Sequence, residues 1–180
     1  MKGTGIARVQ TTAVGYGRLN ASLEKLKKTV VFVGIADGRK GDKREGEPIR
    51  NSELGYIHEF GSPAANIPAR PFLRPGVKSA QERISDHLET AVHAALKDNI
   101  HQMMNALNAA GMEAVSGVNR FLSDENNGLE PLAPATLRNR HRARLTKSRR
   151  ANEVENENVR PLINSGALKA SIDFYVETSK

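Results

Sequence analysis

From Val77 to Phe121, apolar residues recur every three to five positions: Val77, Ala80, Ile84, Leu88, Val92, Ala95, Ile100, Met103, Leu107, Ala110, Ala114, Val118 and Phe121. That spacing is the repeat of one helix face. Unbroken, the helix would run roughly 70 Å at 1.5 Å per residue, against ~30 Å for the diameter of a small domain. A chain of 180 residues holds about one domain. Two solutions remain. The helix folds back as a hairpin, with Asp98-Asn99 and Gly111 as the candidate breaks, or it projects and packs on another subunit. Gly111 and Gly117 each weaken it by ~1 kcal/mol relative to Ala. Each large apolar side chain buried on the stripe contributes ~1.5–3 kcal/mol, so packing outweighs the glycines.

The rest of the chain offers this helix little sheet. Residues 29–36, TVVFVGIA, are β-branched, aromatic and apolar, and predict a strand buried on both faces. Residues 172–177 predict a second, with Ile172, Phe174 and Val176 alternating against Asp173, Tyr175 and Glu177. Two strands make a marginal sheet, and the second is a potential open edge. Helices covering one face, or strands from a neighbouring chain, would solve both problems. Leu19, Leu23 and Leu26 predict a short helix over residues 20–28, while the glycines at 3, 5, 15 and 17 make residues 1–18 an expected flexible arm, with a short strand around residues 6–14. Residues 37–48 and 146–160 are expected mobile loops. Leu137, His141 and Leu145 mark a helix over residues 134–145, and Asn164 or Ser165 is the expected cap of a helix holding Leu168 and Ile172. The expected fold is α+β: a long helix or helical hairpin packed on a small antiparallel sheet, residues 19–180 forming one domain behind an extended N-terminal arm.

Residues 52–77 join the two halves of this plan. Leu54, Ile57 and Phe60 predict a short amphipathic helix ending at Gly61. Pro63, Pro68, Pro71 and Pro75 follow, four prolines in thirteen residues. Each fixes its own φ and biases the residue before it to extended backbone, so the loop samples few conformers and loses little entropy on docking. Pro75 suits the first turn of the next helix. Phe72 and Leu73, flanked by Arg70 and Arg74, either plug the protein's own core or dock on a neighbour, and both can hold.

Chemistry-bearing patterns are sparse. With no cysteine, the chain has no disulfide or thiolate metal site. Gly3-Thr4-Gly5 lacks the third glycine of a dinucleotide loop, and His58-Glu59 has Ser62 where a zincin helix needs histidine. His87, His93 and His101 are spaced too far apart to share a helix face as an i, i+4 pair. Ser165 lacks the nucleophile-elbow pattern. No enzyme activity, metal or cofactor is expected. No apolar run approaches the ~20 residues of a membrane span, and the first residues lack the apolar core of a signal peptide, so the expectation is a soluble chain made in the cytoplasm.

The formal charge of +7 is local. Arg138, Arg140, Arg142, Arg144, Lys147, Arg149 and Arg150 form a run without an acid; outside it, acids and bases balance. The run is a solvated helix face, a contact to an acidic partner, or a contact to DNA phosphates, for which the arginine fork is suited. No aromatic interleaves with it, so DNA contact would be to the backbone and salt-dependent.

Two blocks of sequence carry a resemblance. Glu59-Phe60-Gly61 followed by Ile67-Pro68-Ala69-Arg70-Pro71-Phe72-Leu73 forms the first. The second is Pro131-Leu132-Ala133-Pro134-Ala135-Thr136-Leu137, then arginines, then Gly166-Ala167-Leu168-Lys169-Ala170-Ser171-Ile172. In order and spacing they resemble tail-completion, or neck, proteins of the virion-morphogenesis family of tailed bacteriophages, over about residues 53–172. The chain departs from that pattern in having no aromatic before Pro131 and in its arginine-rich run after Thr136. The resemblance implies a structural virion protein, assembled in the host cytoplasm into a homo-oligomeric ring around the DNA channel, meeting the head–tail connector and the tail terminator or tail tube. It makes Glu59, Phe60, Ile67, Pro68, Arg70, Pro71, Phe72, Leu73 and Arg74 the expected docking residues, so that Phe72→Ala should block assembly yet leave the monomer folded. The alternative is a small basic nucleic-acid-binding protein acting through residues 138–150; a third reading is an accessory protein that binds an acidic partner.

Overall fold

The computed structural model describes residues 13–36, 38, 43, 48–129, 131–139, 142, 162 and 166–179. Helices are α1 (Ala13–Lys27), α2 (Asn51–Phe60), α3 (Leu73–Ser79), α4 (Gln81–Leu96), α5 (Ile100–Ser123), α6 (residues 134–139) and α7 (Ala167–Ala170). Strands β1 (Thr29–Gly34) and β2 (Asp173–Thr178) pair in a two-stranded antiparallel sheet. The fold is α+β and mainly helical. The described residues divide into two compact units with interleaved segments, one drawn from Met1–Phe32, Glu82–Met112 and Tyr175–Lys180, the other from Val33–Gln81 and Glu113–Phe174.

In the first unit the long stripe folds back as a hairpin. Asp98 is left-handed, with φ of 54°. The N–H of Asn99 reaches the carbonyl of Ala94 (2.9 Å) and that of Asp98 the carbonyl of Ala95 (3.0 Å). This paired closure of a helix C-terminus usually has glycine at the left-handed position. Asp98 holds it here with help from α1, because Ser22, fully buried, donates its hydroxyl to the Asp98 carboxylate. Asn99 then caps α5, its Oδ1 accepting the Gln102 N–H at 2.9 Å. Of the two candidate breaks, Asp98-Asn99 is the real one; Gly111 stays helical and buried. Ala91, Ala94 and Ala95 of α4 meet Met103, Ala106 and Leu107 of α5, with Leu23, Leu26, Val31 and Val176 against them.

The helix before the sheet is longer than expected: α1 begins at Ala13, not Asn20, so residues 13–18 are helix rather than arm. Once Leu23 and Leu26 are packed, each further residue adds a hydrogen bond without a new nucleation cost, and a side chain at Gly17 would meet nothing. Residues 1–12, including most of the strand expected around residues 6–14, lie outside the described residues. The first strand also needs correcting. It is not buried on both faces; Val30 and Phe32 are exposed. Val31 and Val176 turn to the helices, and the outward Phe32 stacks on Tyr175, ring centroids 4.8 Å apart. Among the described residues, helices cover one face of the sheet. Thr29 meets Thr178 across the pair at 2.9 Å.

In the second unit α3 crosses α5 at backbone distance. A Cβ on Gly76 would lie 2.5 Å from the Cα of Val118, and one on Gly117 would lie 2.7 Å from the Gly76 carbonyl oxygen. Gly117 is thus a packing requirement as well as a helix cost. Beside the crossing sits a core of Phe72, Val118, Leu122, Leu162, Leu168 and Ile172. The cap of α7 is Gly166, left-handed at φ of 77°, without a side-chain cap bond; Asn164, Ser165 and the expected loop 146–160 lie outside the described residues.

Candidate interaction surface

Helix α2 is turned inside out relative to its sequence pattern. Its buried positions are Asn51, Gly55 and Glu59, one face at i, i+4, i+8. Leu54 and Ile57 are half-buried, while Tyr56 (67%) and Phe60 (53%) look outward. Gly55 explains part of this: a Cβ there would lie 2.7 Å from the Ile35 side chain, so the helix sits close on its unit.

Glu59 explains the rest. Its side chain, only 5% exposed, binds the start of α3. Oε2 accepts the N–H groups of Phe72 (2.8 Å) and Leu73 (2.9 Å), and Oε1 accepts the N–H (3.3 Å) and Nε–H (3.1 Å) of Arg74. Burial pushes this carboxyl up, but the amides of Leu73 and Phe72, then the Arg74 side chain and amide, outweigh burial and hold it below its ordinary 4.5. A carboxylate at a helix start also satisfies N–H groups that have no partner within the helix.

Between α2 and α3 the proline loop is closed by its own backbone. Gly61 has φ of 76°, and a Cβ there would lie 2.9 Å from the Ala69 nitrogen. Ser62 and Ile67 exchange hydrogen bonds of 2.9 and 3.0 Å around a 3-10 turn at Pro63–Ala65, and Asn66 takes the left-handed position. The Arg70 N–H meets the His58 carbonyl at 2.7 Å, and its guanidinium meets the Pro131 carbonyl at 3.0 Å.

The nine expected docking residues therefore divide. Phe72, 2% exposed, is a core residue, and Leu73 packs beside it. Glu59 and Arg70 are buried fasteners; Ile67 is half-buried in the loop closure. Phe72 is thus not a docking anchor, because its surface is spent on the core of its own unit. Phe60, Pro68, Pro71 and Arg74 face outward. Arg74 lies with its guanidinium carbon 5.2 Å from the centre of the Phe60 ring, and Phe60 lies 4.8 Å from Tyr56, ring to ring. Tyr56 was not marked by the apolar repeat; its signal was the i, i+4 relation to Phe60. Beyond it an open concavity of about 600 Å³ is lined by Arg50, Ser52, Glu53, Tyr56 and Ile57. Of the basic run only Arg138 and Arg142 are described, both exposed; Arg140, Arg144, Lys147, Arg149 and Arg150 lie outside the described residues. The histidines are dispersed: His87 and His93 are on α4 and His101 on α5.

No family model matches the chain, and no solved structure matches it. A stretch of 44 residues, 24% of this chain, is 39% identical to an uncharacterized protein of Methanocaldococcus jannaschii, MJ0331. The match spans about a third (33%) of that relative's length.

Proposed function

We propose that the chain is a structural protein of the neck of a tailed bacteriophage, completing the tail or joining the head connector to it as one subunit of a ring. The reading rests on the order of the two motif blocks, and one structural observation supports it most. Helix α2 buries Asn51, Gly55 and Glu59 and exposes Tyr56 and Phe60. A helix that spends polar and small residues on its interior and aromatic ones on its surface is arranged to meet a partner. Its rim is held by a loop with few conformers, so docking needs little ordering. In this reading Phe60, Pro68, Pro71 and Arg74 form the contact, and Glu59, Arg70 and Phe72 keep it in shape.

Electron microscopy of a lysate from a phage lacking this reading frame tests the proposal. Filled heads and unjoined tails are expected, with joining restored by the wild-type chain and not by the Phe60→Ser, Arg74→Gln double variant. Normal virions without the reading frame would sink the neck role.

A further inference from the structure

The Arg74 side chain is fixed and yet largely unspent. Its Nε–H is taken by Glu59 at 3.1 Å, and its guanidinium carbon lies over the Phe60 ring, 5.2 Å from its centre. Its two terminal nitrogens make no hydrogen bond among the described residues, and the side chain is 71% exposed. Guanidinium binds carboxylates through two parallel N–H groups. With Nε occupied, the end-on pair of Nη groups is the fork that remains. Phe60 and Tyr56 continue from it as an exposed aromatic step, and the concavity at Arg50, Ser52, Glu53 and Ile57 adjoins Tyr56.

We infer that this face binds an acidic segment of another polypeptide: a carboxylate on the Arg74 fork, with the neighbouring apolar side chain over Phe60 and Tyr56. Tyr, Phe and Arg are the residues enriched at such contacts. Holding Arg74 from two sides before binding removes much of the ordering cost of a long side chain. Charge decides against nucleic acid as the occupant. This face offers one outward guanidinium fork, enough for a single carboxylate, and Glu53 stands beside Arg50, its carboxylate accepting the Arg50 backbone N–H at 2.8 Å. A phosphate chain needs a groove of unbalanced cations. The inference identifies the chemistry of the partner and stands without the neck assignment.

The test is an NMR titration of the full chain, with 15N-arginine side-chain detection, using acetyl-Leu-Glu-Phe-Glu-Leu-amide, its Gln-for-Glu counterpart and a thymidine dodecanucleotide. The Glu peptide is expected to shift the Arg74 Nε and Nη signals together with the Phe60 and Tyr56 rings. Arg74→Gln should weaken it roughly 10- to 100-fold, as loss of a charge-assisted pair requires. Arg74→Lys, which keeps the charge without the fork, should fall between the two. Should Arg74→Gln fail to fold, the Lys variant and the peptide pair still decide. Equal binding of the Gln peptide, no binding of either peptide, or tighter binding of the oligonucleotide at these signals each overturns the inference. So does self-association of the free chain that Arg74→Gln abolishes, since the occupant is then a second copy. Slow water exchange of the Arg74 Nη protons in the free chain would also refute it, because the fork is then already filled.

Discussion

Replacing Glu59 with glutamine removes one charge and no volume. The carboxylate accepts four hydrogen bonds through two oxygens; the amide has one oxygen and an NH2 group that can only donate. If the oxygen stays with Phe72 and Leu73, the NH2 faces the N–H and Nε–H of Arg74, donor against donor. A hydrogen bond to a charged group is worth ~1.5–3 kcal/mol. The abandoned pair are the longer bonds, at 3.1 and 3.3 Å, and Arg74 is solvent-exposed. The two retained bonds lose their charge assistance. Together these give a cost of ~2–4 kcal/mol. With a urea slope of ~2 kcal/mol per M, the midpoint should fall by roughly 1–2 M, and exchange of the Phe72 and Leu73 amides should quicken. The pH dependence follows from the lowered pKa. A carboxyl depressed in the folded state stabilises it above the unfolded value and loses that contribution as pH falls through the folded value. The wild type should therefore lose a component of stability below the ordinary 4.5, and Glu59→Gln should lack that component. A midpoint change worth under ~0.5 kcal/mol, the size of an ordinary surface substitution, would refute the clamp, as would identical acid profiles.

Phe72→Ala should cost ~3–5 kcal/mol, the range for emptying a buried phenylalanine site, whereas Phe60→Ser should change stability by no more than ~0.5 kcal/mol; thermal melts of the pair separate core from surface. Gly117→Ala should destabilise by ~1–3 kcal/mol despite alanine's better helix propensity, because its Cβ meets the Gly76 carbonyl at 2.7 Å; a neutral or raised melting temperature would mean the helices can part. Asn99→Ala should cost ~1 kcal/mol as a lost cap, read as faster exchange of the Gln102 amide.

The hairpin was legible in the chain because its turn has local chemistry: Asn99 is a cap residue, and Asp tolerates the left-handed backbone. Gly111 looked like an equal candidate, but Leu107, Ala110 and Ala114 keep the repeat intact across it, and burial overrides a glycine. Strand positions were legible too. The exposure of Phe32 was not, because an apolar run cannot report how many layers will cover it. The part of the site that sequence left hidden is the role of Glu59. Its partners are backbone amides thirteen to fifteen residues away, and any sequence supplies amides. The proline loop announced rigidity but not which side chains would face in, so Phe72 and Phe60 looked equivalent.

The sheet also governs the order in which the molecule can form. Thr29 meets Thr178 across 149 residues of chain, whereas the α4–α5 turn closes through contacts only a few residues apart. Local contacts form first and distant pairings wait for the entropy of a long loop to be overcome. During synthesis β1 is therefore made early and completed late. In that interval Val30 and Phe32 stand on a strand with no partner at either edge, the condition under which strands from different molecules pair. Until residues 173–178 are made, Phe32 has no Tyr175 to stack on, so crowding of nascent chains acts on this strand before its partner arrives.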